Sequence, residues 1–381
     1  MTSPAYPAAH LVADTIEAHF ANHVARTQVQ DGADLAPAPD RAAVEDIIEA
    51  AFWASLRREE GYSPKISLAF LPPSMSHQPL TFAHHLPFTS DVLTKLAPAV
   101  ERPGIHLGVW RTNQDGDELC IWGTTRDIPR LCFVLEVIEP GLLVVKYRRG
   151  AETGKFVNVV VLKGDQIKVV DEHGTSLVDC PALLSPLLGF GAPSEPDAVN
   201  VLVQLAVSMR AHGRGGSLLV VPEDSDEWRE SIMQPVSYAV APPYAELAQL
   251  MRRPAKDKTQ PAWQEAFIDS VDAIAGLTAV DGAAFINDKY ELLAFGGKIT
   301  RRRGAHRIER VAITEPVIGS TLAVVAPLQL GNTRHLSAAQ FVHDQRNAVA
   351  LVASQDGRFT VFAWSPCENM VHAHRVEALL M

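Results

Sequence analysis

Seven short apolar runs follow one another between Lys65 and Glu172: KISLAFL, IHLGVW, ELCIWGT, LCFVLEVI, LLVVKYR, KFVNVVVL and QIKVVDE. Each has strand length. Turns carrying Gly, Asp, Asn or Pro separate them, among them NQDGDE, EPG, GAETG and KGD. Strands this closely spaced cannot all be parallel neighbours, because each parallel connection needs a crossover of a dozen or more residues. The run therefore predicts a mostly antiparallel β module.

The flanking segments carry a different period. Before the module, HLVADTIEAHFANHV places Leu11, Ile16 and Phe20 at near-helical spacing. After the break DGADLAPAPD, Asp40 can cap a second helix with the stripe Val44, Ile47, Ile48, Ala51, Phe52 and Leu56. Beyond the module, CPALLSPLLGFGAPSEPD reads as a boundary. Then come a helix, VNVLVQLAVSMRAHG, a buried strand, SLLVVP, and two helices, YAELAQLMRR and WQEAFIDSVDAIAG. A strand pair, TAVDGAAFIND and ELLAFGGKI, follows. TLAVVAPL, a helix from near His335, AVALVAS and RFTVFAW complete an α/β domain. The fold class predicted is a multidomain α/β (α+β) protein. Its parts are an N-terminal helical segment (1–60), a β-rich module (61–190) and a C-terminal mixed sheet flanked by helices (196–381).

Composition excludes some roles. The 381 residues carry a formal net charge of −10, the wrong sign for a non-specific nucleic-acid binder. Cys120, Cys132, Cys180 and Cys367 show neither CxxC nor zinc-finger spacing, so free thiols in a reducing compartment are expected. The first thirty residues lack a leader pattern, and no apolar run reaches membrane-span length. A cytoplasmic protein without a membrane span is the expectation. The histidines, including His372 and His374, never adopt HExxH spacing. Trp110 and Trp122 read as core or sheet-face residues.

Chemistry concentrates in three stretches. GRGGSLLVVPED (213–224) is a glycine-rich entry into a strand, which a helix end followed by a core strand would also require. VDGAAFIND (280–288) sets Asp281 beside Gly282 and Ala283 in an apolar strand. A carboxylate buried there would need a cation or metal, and the small neighbours would let a ligand approach the backbone. A hairpin-edge Asp bonding its own backbone is the alternative. GNTRHLSAAQFV (331–342) combines the turn residues Gly331 and Asn332 with Arg334, His335 and a small-residue helix start. Thr333 or Ser337 could cap that helix, whose free N–H groups would suit an anion. The Arg334 fork matches phosphate oxygens. Together the stretches suggest a nucleoside triphosphate with Mg²⁺, although no P-loop or kinase motif is present.

The ordered set resembles the diadenylate cyclase (DAC) domain, whose members carry a DGA motif and a GTRHR loop followed by a Ser-Glu-Glu-type turn. The resemblance covers roughly residues 200–365. The upstream part resembles the probable sensor domain, DACNV, that precedes DAC-like domains. The resemblance implies that two ATP molecules, one on each subunit of a homodimer or higher homo-oligomer, condense to cyclic di-AMP. It implies Asp281 as a catalytic residue and a ligand for Mg²⁺ or Mn²⁺, with Asp356 as a second metal ligand. Arg334 and His335 would hold the phosphates, and Gly282, Ala283, Gly331, Asn332, Thr333, Ser337 and Ser354 would line the nucleotide.

The chain departs from the pattern at Leu336, where the family has a second arginine, at Val280, and at Ser354-Gln355-Asp356. A lost charge-assisted bond of this kind is worth about 1.5–3 kcal/mol, roughly ten- to hundredfold in rate. Arg301, Arg302 and Arg303 lie in an insertion and could restore the charge, or form a solvated loop. Three readings stay open: an active cyclase regulated by the β module, a nucleotide sensor without turnover, and a scaffold without a ligand.

Overall fold

The computed structural model describes residues 5–31, 35–77, 79–112, 118–148, 156–171, 200–258 and 260–381. The proposed boundary at 180–197, Cys180 and the turns around 113–117 and 150–154 lie outside the described residues. The chain divides into two units, Met1–Val170 with Met381, and Asp171–Leu380.

In the first unit α1 (Pro7–Asp31) and α2 (Arg41–Ser55) pack on one face of an eight-stranded sheet. The strands are β1 (Ile66–Phe70), β2 (Leu80–Pro87), β3 (His106–Arg111), β4 (Leu119–Thr125), β5 (Phe133–Glu139), β6 (Leu142–Arg148), β7 (Phe156–Lys163) and β8 (Gln166–Val169), with a short helix α3 (Ser90–Leu96) after β2. Their order is β2-β4-β3-β1-β5-β6-β7-β8. Every pairing is antiparallel except β1 with β3.

Asp40 caps α2 by accepting a 2.9 Å hydrogen bond from the Ala43 amide. The buried stripe of α1 differs from the expected one. It consists of Ala9, Val12, Ala13, Ile16 and Phe20, while Leu11 is 70% exposed. Steps of three and four residues keep the former on one side, and Leu11, five residues before Ile16, falls off it. Strand β2 escaped the sequence reading because it is an edge strand whose side chains are mostly exposed, so no apolar alternation marks it. Trp122 is fully buried and donates through its indole N–H to the Leu71 carbonyl at 2.8 Å.

The second unit holds a nine-stranded sheet. Its strands are β9 (Gly216–Val221), β10 (Tyr238–Tyr244), β11 (Ala283–Asn287), β12 (Leu292–Gly297), β13 (Val311–Thr314), β14 (Ala323–Val325), β15 (Val349–Ala353), β16 (Phe359–Ser365) and β17 (Met370–Arg375). The order is β10-β12-β11-β9-β15-β16-β17-β13-β14, with β9–β11 and β13–β17 parallel. Helices α4 (Val201–Ala211), α5 (Glu246–Met251) and α7 (Pro261–Leu277) cover one face, with the single turn α6 (Ala255–Lys258) before α7. Helix α8 (Thr333–Asp344) covers the other.

The central strands are buried on both sides. Leu218 and Val220 face α4 and α7, whereas Leu219 and Val221 face α8. That double burial is why SLLVVP shows no polar alternation. Ala338 and Ala339 are fully buried and let α8 lie close to the sheet. Strand β10 was missed because its prolines argue against a strand; it sits at the sheet edge, where proline is tolerated.

Candidate functional site

The pairings converge four chain segments at one end of the second sheet. Strands β9 and β11 are parallel, so both begin there, at Gly216 and Ala283. Strands β12 and β15 run antiparallel to them and end there, with Gly297 opposite Ala283 and Ala353 opposite Gly216. The start of α8 is at the same end. A Cβ placed on Gly215 would stand 3.0 Å from a terminal nitrogen of Arg334, 3.3 Å from the Ala353 carbonyl oxygen and 3.3 Å from Gln355 Cγ. With φ at +71°, position 215 both favours glycine and leaves room for the guanidinium.

The cap of α8 is Asn332, not Thr333 or Ser337. Asn332 has extended dihedrals, and its Oδ1 accepts from the amides of Arg334 (3.1 Å) and His335 (3.4 Å). Thr333 is exposed and opens the helix, and Ser337 lies within the first turns, so neither can reach the amides that need a partner. His335 Nδ1 lies 2.9 Å from the same Asn332 oxygen. That oxygen only accepts, so the ring proton sits on Nδ1. His335 is 3% exposed and meets Phe362 edge-on. Burial holds its imidazole below the usual range despite the Asp356 charge, so the ring is neutral at pH 7. Gly331 has φ +141° and passes directly over this ring. The structure thus places His335 in the core, pinning the loop, while Arg334 extends outward. Among the described residues no hydrogen bond or ion pair engages the Arg334 guanidinium.

Asp281 was expected within an apolar strand. It stands instead just before β11, with its side chain 90% exposed. Its carboxylate pairs with Lys298, the residue after β12. That hydrogen bond, the Lys298 charge, the Arg334 charge and the Gly282 amide hold it below the usual carboxylate range. Asp281 and Arg334 therefore stand within electrostatic reach of each other.

Gly282 and Ala283 do not clear a path for a ligand. A Cβ on Gly282, where φ is +116°, would meet the Gly296 carbonyl carbon at 2.5 Å and the Gly297 oxygen at 2.9 Å. The space is occupied by β12, and Ala283 is buried against the α8 side of the sheet. Ser354 and Asp356 form the β15–β16 hairpin turn. The Ser354 amide donates to the Arg358 carbonyl at 2.9 Å, and the Arg358 amide donates to Asp356 Oδ1 at 3.3 Å. Partial burial is the largest influence on Asp356 and raises its pKa. The Ser354 hydroxyl, the Arg358 amide and the Arg358 charge together outweigh it and leave the carboxylate below its ordinary value.

The donor set suits a divalent cation only in company with a ligand. Among the described residues no three His, Cys, Asp or Glu side chains gather into a metal cluster. One exposed, ionised carboxylate is nevertheless what Mg²⁺ commonly takes from a protein when phosphate oxygens complete its shell. Asp281 fits that description; the Asp356 oxygens are already engaged within their turn.

Sequence reasoning passed over Lys298, although a lysine directly after two strand-end glycines is a visible signal. It also passed over Thr278, which is buried and occupies the space a Cβ on Gly216 would need. His372 and His374, two residues apart, share one buried face of β17. Their rings are 5.7 Å apart, and His374 Nδ1 lies 2.7 Å from the Thr314 hydroxyl. Cys120 and Cys132 are buried free thiols and Cys367 is exposed. No helix among the described residues is long and apolar enough to cross a membrane.

Comparison with known proteins adds one finding in the first unit. Residues 33–126 match the family model described as "Probable sensor domain DACNV", which assigns that stretch a sensor character. The matched stretch contains the end of the α1–α2 connection, α2 and strands β1 to β4. No curated protein matches the chain.

Proposed function

We propose that the second unit binds ATP at the Asp281–Arg334 end of its sheet and condenses two molecules to cyclic di-AMP, under control of the sensor-like first unit. One observation carries the reading: an exposed carboxylate and an unengaged guanidinium, far apart in sequence, stand within electrostatic reach at the end where Gly215 leaves room. An anionic ligand bound through a cation to one and directly to the other would satisfy both.

Each group has a task in this reading. Arg334 donates to phosphate oxygens and offsets charge as pyrophosphate leaves. Asn332 holds the α8 amides in place, and neutral His335 fixes Asn332 through Nδ1–H. His335 is thus a positioning residue, acting through Asn332 rather than on phosphate. Asp281 would hold Mg²⁺ or Mn²⁺, releasing Lys298; when bound, that ion supplies charge neutralisation of the triphosphate. Each 3′-oxygen forms a bond to the α-phosphorus of the other nucleotide. The bond from that phosphorus to the pyrophosphate oxygen breaks, and the hydroxyl proton passes to solvent. Two such transfers require two sites face to face, hence a homodimer or higher homo-oligomer.

A second reading is a nucleotide sensor without turnover. The Lys298–Asp281 pair favours it, because the carboxylate already has a cation. Incubation with ATP and Mg²⁺ or Mn²⁺, followed by mass spectrometry, separates the two. Cyclic di-AMP from the wild type and none from Asp281→Asn supports the cyclase. ATP binding with no product from either supports the sensor. Absence of nucleotide binding sinks both.

A further inference from the structure

Between Lys298 and Arg310 the chain carries six Lys or Arg and a single Glu, within a protein of net charge −10. The structure sorts these cations. Lys298 holds Asp281, and Arg302 is paired with Glu227 (3.3 Å) and Glu230 (2.8 Å). Arg301 and Arg307 have no carboxylate partner among the described residues. They instead line a cleft of about 310 Å³, together with Ile299, Thr300, Leu336, Ser337 and Gln340. That volume is at the low end of small-ligand sites, which span about 300–1,000 Å³.

Residues that line the cleft are chain neighbours of the Asp281–Arg334 site. Ile299 directly follows Lys298, so one wall starts beside the Asp281 pair. Leu336 and Ser337 belong to the same first turns of α8 as Arg334. Gln340 anchors the inserted segment to α8, accepting from the Ile308 amide at 2.9 Å and donating to the His306 carbonyl at 3.1 Å. These bonds tie the backbone on both sides of Arg307 to α8, so that arginine is held at the cleft by a built contact.

We propose that Arg301 and Arg307 bind the polyphosphate tail of a nucleoside triphosphate whose α-phosphate lies at Arg334. The proposal rests on the nucleotide reading of the adjoining site, but its chemistry can be tested apart from it. Two guanidinium forks without a carboxylate partner among the described residues, with the hydroxyl residues Thr300 and Ser337, select a multiply charged phosphate chain over a neutral sugar or an apolar ligand. The tail extends away from Asp281, so this wall also separates triphosphate from monophosphate.

The test is calorimetric titration of the full chain with inorganic tripolyphosphate and, separately, with ATP. Wild type is compared with Arg301→Ala/Arg307→Ala and with Arg303→Ala/Arg310→Ala, which removes equal charge from the same segment outside the cleft. The expected result is a loss of about tenfold per cleft arginine for both ligands, and less than about threefold for the second pair. Equal losses in the two variants would reduce the effect to general charge and overturn the proposal. Unchanged ATP affinity in the cleft variant overturns it while leaving the nucleotide reading intact. Tripolyphosphate binding that the cleft variant loses, without ATP binding by the wild type, upholds the cleft and sinks the nucleotide reading. If the wild type binds neither, both fall.

Discussion

The two ends of the second sheet use polar side chains in opposite ways. At the end away from Asp281, a cavity of about 330 Å³ is lined by Trp228, Arg302, Asp344, Gln345 and Arg346, among others. Its polar groups satisfy one another. Asp344 accepts from the Arg302 amide and the Gln340 amide group at 2.8 Å each. Gln345 donates to the Glu227 carbonyl at 3.0 Å and to the Ser231 hydroxyl at 2.9 Å, and Arg346 stacks on Trp364. At the glycine-rich end, among the described residues, no hydrogen bond or ion pair engages the Arg334 guanidinium, and Asp281 pairs with an exposed lysine. A network that closes on itself stabilises a fold; groups left open at the surface are available to a ligand.

The sharpest way to break this comparison is to cut each end once. Arg334→Ala should lower ATP affinity and any cyclic di-AMP formation by roughly a hundredfold, with Tm nearly unchanged, since no hydrogen bond or ion pair among the described residues is lost. Asp344→Ala should do the reverse. It strands donors around a side chain that is fully buried, and should cost about 2–3 kcal/mol by denaturant titration with ligand binding retained. Loss of binding in the second variant and not the first would invert the assignment.

A second measurement sharpens the account of the glycine end. Gly282→Ala forces a Cβ against the β12 backbone at a positive φ, so a destabilisation of about 2–4 kcal/mol is expected. A stable Gly282→Ala protein that merely binds nucleotide less well would show that the glycine serves the ligand after all.

The smallest expected effect concerns acid. Burial, with His372 beside it, pushes the His374 imidazole down to about 3 from its ordinary 6.5. Above pH 6.5 the ring is neutral folded or unfolded and contributes nothing to the pH dependence. Between 6.5 and 3 the unfolded chain takes a proton that the folded chain refuses, so stability falls as pH falls. By pH 5 the loss should be roughly 2 kcal/mol. Denaturant titrations at pH 7.5 and 5 should show it, and His374→Gln should reduce the difference. An unchanged slope in that variant would mean that other groups carry the acid sensitivity.

How far the residues announced the site differs from one to the next. The turn at Gly331-Asn332 before a small-residue helix was legible as a helix start, although the cap fell to Asn332 rather than to Thr333 or Ser337. The seven runs after Lys65 were legible as strands because their length and turns allow little else. Lys298 was hidden: its significance lies in a partner 17 residues earlier, reached only after β11 and β12 pair. The burial of His335 was hidden because Arg-His reads as two equivalent donors, although a helix turns about 100° per residue and sends adjacent side chains to different environments.

Local chemistry, written in the order of residues, determined that this chain has an α+β architecture, a strand-rich middle and a helix start after the turn at Gly331-Asn332. Those outcomes follow from backbone preference and the period of apolar residues, which act over a few positions. Only tertiary structure decided that Asp281 is exposed rather than buried, that the space at Gly282 belongs to β12, and that Arg301 and Arg307 share a cleft with Leu336. Each of these depends on which strand lies beside which, and strand order is set by burial summed over the whole sheet rather than by any neighbouring residue.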